Sequence, residues 1–257
     1  MSHPSEFSRA AGALGGVTNK IHVLLRKEDF NAQRLTANVV VVLDILFATT
    51  TIVTALASGA SEVIPATDEH DARAKAKPYP PESVVLSGEK MIHAIDGFVS
   101  PLPLALKEIG VQGKRLIYST TNGTVALNQA AVAPHVYAAS LLNGAATVAH
   151  IRRHHADQSV LVVCSGSAGG MNLEDFYGAG HIVDLLSDGL DPDRDLTDAA
   201  QSALRLYRTH DAYDCLSSSR VGRIMERSGV GDEVRYAAQR GILNLVAKLQ
   251  NGAVRVV

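Results

Sequence analysis

The 257-residue chain balances 24 basic against 26 acidic residues, and 46% of it is hydrophobic and 19% charged. That is the composition of an ordinary globular protein, and a net charge of −2 excludes the global basic field of a nucleic-acid binder. No apolar run approaches the ~20 residues that span a bilayer, and two cysteines without a CxxC pair, Cys164 and Cys215, read as free cytosolic thiols and not as a zinc site.

In chain order, residues 1–20 lack the basic and apolar segments of a secretory signal and read as a flexible leader. Ile21–Leu25 is a short strand. Val39–Leu43 is apolar without alternation, the pattern of a strand covered on both faces in a parallel sheet. A helix over Thr49–Ser58, stopped by Gly59, a strand Glu62–Ala66 and a helix Asp68–Lys75 follow. After the YPPES connection comes a short strand, Val84–Leu86, and then an aperiodic, functional-looking loop, Ser87–Leu104. The remaining expected strands are Arg115–Ser119, His135–Ala139 and Val160–Cys164. The expected helices are Pro103–Ile109, Thr124–Ala131, Ala145–His154 capped by Asn143, Phe176–Leu186, Leu196–Thr209 and Arg220–Arg227. Val234–Leu249 reads as a mainly helical tail. Strands alternating with helices predict one α/β domain over residues 21–257, a layered, mostly parallel sheet with flanking helices, and a mainly helical part over 195–257.

Ligands of open parallel sheets lie beyond the carboxyl ends of the strands. At those ends stand Asp44 with Thr49–Thr51; Ser87, Gly88, Glu89 and Lys90; Thr120, Thr121, Asn122, Gly123 and Thr124; Ser140 and Asn143; and Ser165, Gly166, Gly169, Gly170, Glu174 and Asp175. Their convergence is the strongest functional signal in the sequence. STTNGT reads equally well as an anion cradle at a helix N-terminus or as a joint with Thr124 as cap. SGSAGG matches neither a phosphate-binding P-loop nor GxGxxG, which removes kinase and dinucleotide readings. Asp44, Glu89, Glu174 and Asp175 are hard oxygen donors that, with a substrate phosphate, suit Mg²⁺. Taken alone, the adjacent pair Glu174–Asp175 reads first as helix-start acidity. Of ten histidines, His93 is the candidate acid or base, while His154 and His155 read as solvated. Cys164 reads first as buried and inert.

The ordered segments LDILFATTTIVTAL, SGEK…IDGF…SP, STTNGT, SLLNG, CSGSAGGMNLEDFYGAG and LTDAA resemble the 2-phosphosulfolactate phosphatases of coenzyme M biosynthesis, over about Ile21 to Val246. The resemblance implies that family's own α/β fold and a Mg²⁺-dependent hydrolysis of a small phosphorylated acid. It also implies a site of Asp44, Glu89, Thr120, Thr121, Asn122, Gly123, Asn143, Glu174 and Asp175. The family carries arginines where this chain has Phe47 and Val125, and an asparagine where it has Val99. Arginine is best suited to bidentate anion recognition, so a changed, less anionic and partly apolar substrate is expected. Lys90, and Arg220 or Arg223, remain as cations, although the two arginines read first as a solvated helix face. The functional expectation is a cytoplasmic phosphatase-like hydrolase of a small metabolite, with no nucleic-acid or membrane partner and a homodimer left open. Asp44, Glu89 and Asp175 would hold Mg²⁺, and Glu174 or Asp44 would position water. A different reaction on a small molecule, and a non-catalytic binding homologue, are the rivals.

Overall fold

The structure, a computed structural model, describes residues 20–90, 93–187 and 195–257. The expected leader therefore lies outside the described residues, apart from Lys20. One ten-stranded sheet organises the chain. Its strands are β1 (Ile21–Leu24), β2 (Val39–Leu43), β3 (Glu62–Ala66), β4 (Val84–Lys90), β5 (His93–Ala94), β6 (Arg115–Ser119), β7 (Val136–Ala139), β8 (Val160–Cys164), β9 (Ala247–Gln250) and β10 (Ala253–Val256). The spatial order is β1-β8-β2-β7-β9-β10-β3-β6-β4-β5.

β2 explains its own sequence. All five residues are buried, Val39, Val41 and Leu43 in one core and Val40 and Val42 in the core on the other face. A strand covered on both sides has no polar face to alternate with, so its run is continuously apolar.

The β9–β10 hairpin corrects the expected helical tail. Residues 234–249 hold only the end of a short helix, Gly231–Ala237, before the chain turns extended and enters the sheet. The turn is Asn251–Gly252, with φ of 50° and 77°. An Asn-Gly pair at positive φ is the two-residue hairpin turn whose twist matches the flanking strands. The hairpin joins two parallel blocks, β1, β8, β2, β7 and β3, β6, β4, through three successive antiparallel pairings: β7 with β9, β9 with β10, and β10 with β3. The blocks therefore run in opposite directions. Glu62, buried on β3, fastens this join by pairing with Arg115 of β6 at 2.6 Å and with Arg255 of β10.

The helices are α1 (Ala32–Thr36), α2 (Ala48–Ala57), α3 (Glu69–Ala76), α4 (Pro103–Ile109), α5 (Gly123–Ala130), α6 (Gly144–His154), α7 (Leu173–Ser187), α8 (Asp198–Thr209), α9 (Ala212–Ser218), α10 (Arg220–Arg227) and α11 (Gly231–Ala237). The helical C-terminal portion is thus α8 to α11, followed by strand. Glu233 of α11 accepts the backbone N–H groups of Leu104 and Ala105, closing the N-terminus of α4. The expected loop after Val84–Leu86 is also partly strand. β4 continues to Lys90 and pairs with β5, and the N–H of Val99 returns to the carbonyl of Leu86 at 2.9 Å. Among the described residues no helix is long and apolar enough to cross a membrane.

Candidate active site

The carboxyl ends of strands from both blocks line one cavity of about 330 Å³. Its walls are Asp44 and Phe47 after β2, Glu89 on β4, Thr121 and Asn122 after β6, Ser167, Ala168, Asn172 and Glu174 after β8, and Arg220 and Val221 at the start of α10.

Asp44 is held from several sides. Its backbone N–H donates to the Thr49 hydroxyl at 2.9 Å, and the Thr49 N–H returns to the Asp44 carbonyl at 3.1 Å. The threonine triplet is fully buried and builds this corner, with Thr50 bonded to Ile45 and Thr51 to Pro101. The carboxylate accepts the backbone N–H groups of Ala48 and Gly123. Burial, then repulsion from Glu89 and Glu174, nonetheless pushes its pKa up to about 7. Burial likewise raises Glu174, which accepts from the Ser219 side chain and faces Arg220.

Glu89 is 7% exposed. It accepts the N–H of Thr121 at 2.6 Å and the Thr121 hydroxyl at 3.2 Å. The N–H of Thr124 goes to the Thr120 hydroxyl at 3.1 Å, and the N–H of Thr120 to the Thr124 hydroxyl at 2.9 Å. The STTNGT turn is therefore not an open cradle of backbone amides. Its N–H groups of Thr121 and Gly123 serve the carboxylates, and Thr124 closes its own turn and is not the cap.

After β8, the SGSAGG segment forms a tight two-residue turn. Ser167 and Gly170 exchange backbone hydrogen bonds of 3.0 Å, with Ala168 at φ 51° and Gly169 at φ 72° between them. A non-glycine residue at positive φ on a cavity wall is local strain of a kind concentrated at functional sites. Ser167 donates to Asn172 at 2.6 Å and accepts from Arg220, while Arg26 donates to the Gly169 carbonyl.

Several expected site residues lie elsewhere. Asp175 is fully buried behind the wall, its two oxygens accepting the N–H groups of Ile45 at 2.9 Å and Gly166 at 3.1 Å. It ties the β2 and β8 corners together, and burial raises its pKa, helped by Asp44 and Glu174. Asn143 is fully buried, bonded to Ser140, Ala138, Thr147 and Leu245, and anchors the approach to the hairpin. Val125 is half-buried on α5, and Val99 packs at the edge of a core; neither lines the cavity. Lys90 is exposed and, with Thr120, lines a neighbouring cavity of about 540 Å³ that shares Glu89 and Thr121. His93 is exposed opposite Lys90. The arginines separate: Arg220 is exposed, as read, yet lines the cavity as well, and exposed Arg223 bonds the Ser218 carbonyl.

Cys164 and Cys215 are free and buried, and burial raises both thiols. His155 corrects its solvated reading: it is buried and bonded to the Tyr137 hydroxyl at 2.9 Å. Sequence reading missed Lys27, Ser167, Ala168, Asn172 and Val221. Of these, Ser167, Ala168 and Asn172 lay in a segment already singled out.

Carboxylates at or beyond the ends of three strands, β2, β4 and β8, set against an arginine and side-chain amides where the strand ends of the two parallel blocks meet, give an α/β protein with an acid-lined cavity. Residues 24–252 match the 2-phosphosulpholactate phosphatase family, and the chain belongs to it. A protein of Clostridium perfringens (strain SM101 / Type A), named probable 2-phosphosulfolactate phosphatase, is 34% identical over 242 residues, covering 93% of this chain and 96% of its own length. One of the same name from Symbiobacterium thermophilum is 36% identical over 226 residues, covering 87% and 96%. Another, from Caldanaerobacter subterraneus, is 34% identical over 219 residues, covering 84% and 89%. The family makes the chain an enzyme of the phosphoric monoester hydrolase class.

Proposed function

We propose that this enzyme hydrolyses a small phosphomonoester with Mg²⁺, and that its leaving group is less anionic than the sulfolactate named for its relatives. The observation that carries the reading is the meeting of Asp44, Glu89 and Glu174 with Arg220, Asn122 and the apolar Phe47 and Val221 in one cavity.

The residues present fit the metal. Asp44 and Glu89 are buried, mutually repelling oxygen donors, and a carboxylate accepting two hydrogen bonds keeps further lone pairs. No three His, Cys, Asp or Glu side chains among the described residues are grouped to enclose an ion. Mg²⁺ takes one or two carboxylates and fills its shell with water and phosphate oxygens, a role open to the pair Asp44 and Glu89. When bound, it would neutralise phosphoryl charge.

The chain's own residues do the rest. Because the amides of Thr121 and Gly123 serve carboxylates, the phosphate is received by side chains, Arg220 and the amide of Asn122. Glu174 orients water and takes its proton as the oxygen bonds to phosphorus; the ester bond breaks with its electron pair on the leaving-group oxygen, which takes a proton from solvent and leaves as the alcohol. Phe47 and Val221 receive the leaving group. The test is phosphate release from a panel of esters whose leaving groups run from sulfonated to apolar. Wild type should favour the less anionic members, and Phe47→Arg should shift preference about tenfold or more toward sulfonated ones, the effect of one charge-assisted bond. Equal rates across the panel in both proteins would refute the specificity reading.

A further inference from the structure

Lys27 stands three residues beyond the end of β1, in none of the segments that pointed to the site. It opens a single 3-10 turn, Lys27–Asp29, after β1, and its N–H is held by the Ser165 carbonyl at 3.3 Å. The residue is only 9% exposed, unusual for lysine. Its Nζ donates to Asn122 Oδ1 at 2.9 Å and pairs with Glu28 at 2.9 Å.

We propose that Lys27 is a positioning residue for the phosphate, acting through Asn122; this rests on the phosphatase reading above. An ammonium is donor-only, so the Asn122 atom facing it must be the amide oxygen. The NH₂ is thereby turned the other way. Asn122 lines the cavity, and its Nδ2 has no protein partner among the described residues. The neighbouring backbone N–H groups are already taken, Thr121 by Glu89, Gly123 by Asp44 and Thr124 by Thr120. The Asn122 amide is therefore the turn's remaining side-chain donor toward an anion. Freed from Lys27, the amide could flip and present its oxygen, a repulsive partner for phosphate, or fold back to cap α5. Lys27 thus decides whether this position attracts or repels an anion in a cavity already walled by three carboxylates.

The test is a double-mutant cycle read by calorimetric binding of inorganic phosphate in Mg²⁺ buffer, with KM and kcat for a small phosphomonoester alongside. Lys27→Met should weaken phosphate about tenfold and raise KM more than it lowers kcat, and Lys27→Arg, also donor-only, should restore binding. In an Asn122→Ala background Lys27→Met should add less than about a twofold loss, because the two act as one unit. Equal losses in both backgrounds, or no loss in wild type, would overturn the assignment. Should Lys27→Met fail to fold, Asn122→Asp asks the same question: one oxygen pairs with Lys27 and the other faces the cavity, so phosphate affinity should fall about 100-fold. Unchanged affinity there would overturn it too. Absence of phosphate binding by wild type would defeat the phosphatase reading itself, and this inference with it, whereas phosphate binding indifferent to Lys27 defeats the inference alone.

Discussion

Gly123→Ala sets two opposing effects against each other at the heart of the site. Gly123 opens α5, and its φ is not in the left-handed region, so backbone freedom does not require glycine there. Helix propensity alone would favour alanine by about 1 kcal/mol. The added Cβ, however, would lie 2.4 Å from Asp44 Oδ2 and 2.4 Å from the Ala48 Cβ, where real contacts stay above 3.0 Å. Overpacking of this kind costs about 1–3 kcal/mol, and parting the Gly123 N–H from the Asp44 carboxylate a further ~1.5–3 kcal/mol. The clash wins, for a net loss of about 3 kcal/mol, or a fall in Tm of about 6–12 °C at this chain length. Most molecules stay folded at 25 °C, but Asp44 is displaced by a sizeable fraction of an ångström, and a misplacement of about 1 Å can lower kcat about 100-fold. Calorimetry and phosphate release on the same sample measure both effects. A variant as stable and as active as wild type would refute the packing of α5 against Asp44 as the frame of the site.

Two further outcomes follow from buried groups. His181 is 4% exposed, its Nδ1 bonded to Tyr207 and its Nε2 without a partner among the described residues, and burial, then Arg240, holds its pKa down from 6.5 to about 4. The unfolded chain therefore binds the proton more readily between pH 6.5 and 4, and this contribution to stability, up to about 3 kcal/mol, is present above pH 6.5 and lost as pH falls. The difference between wild-type and His181→Leu stability should move by about that amount toward the variant from pH 7 to 4, the carboxylates cancelling; a constant difference would refute it. Mg²⁺ at about 100 times its Kd should stabilise the wild type by about 2.7 kcal/mol, and Asp44→Asn or Glu89→Gln should remove most of that shift in thermal unfolding; a shift retained in both would place the metal elsewhere.

How much of this was legible in the sequence depended on whether local chemistry and tertiary role agreed. β2 was readable because burial on both faces erases alternation, and Asp44 because a carboxylate ending such a run stands out. The hairpin was missed although Asn251–Gly252 carries its turn signal, because the apolar spacing over 234–249 imitates a helical period and β9 has only four residues. Asp175 stands beside Glu174 in sequence, yet successive residues of a helix point about 100° apart, so one reaches the cavity and the other the core. Lys27 was read past, and Arg220 named but read first as a solvated helix face, because a charged side chain resembles surface until the fold brings Asn122 to one and Ser167 to the other.

The measurement that bears most directly on the whole account is phosphate release from a small phosphomonoester in Mg²⁺ buffer by wild type and by Asp44→Asn. The exchange is nearly isosteric and removes the charge at the centre of the cavity. The account predicts turnover by the wild type and a loss of at least about 100-fold in kcat/KM in a variant that remains folded, as when a transition-state interaction is removed. Undiminished phosphate release by folded Asp44→Asn would contradict it.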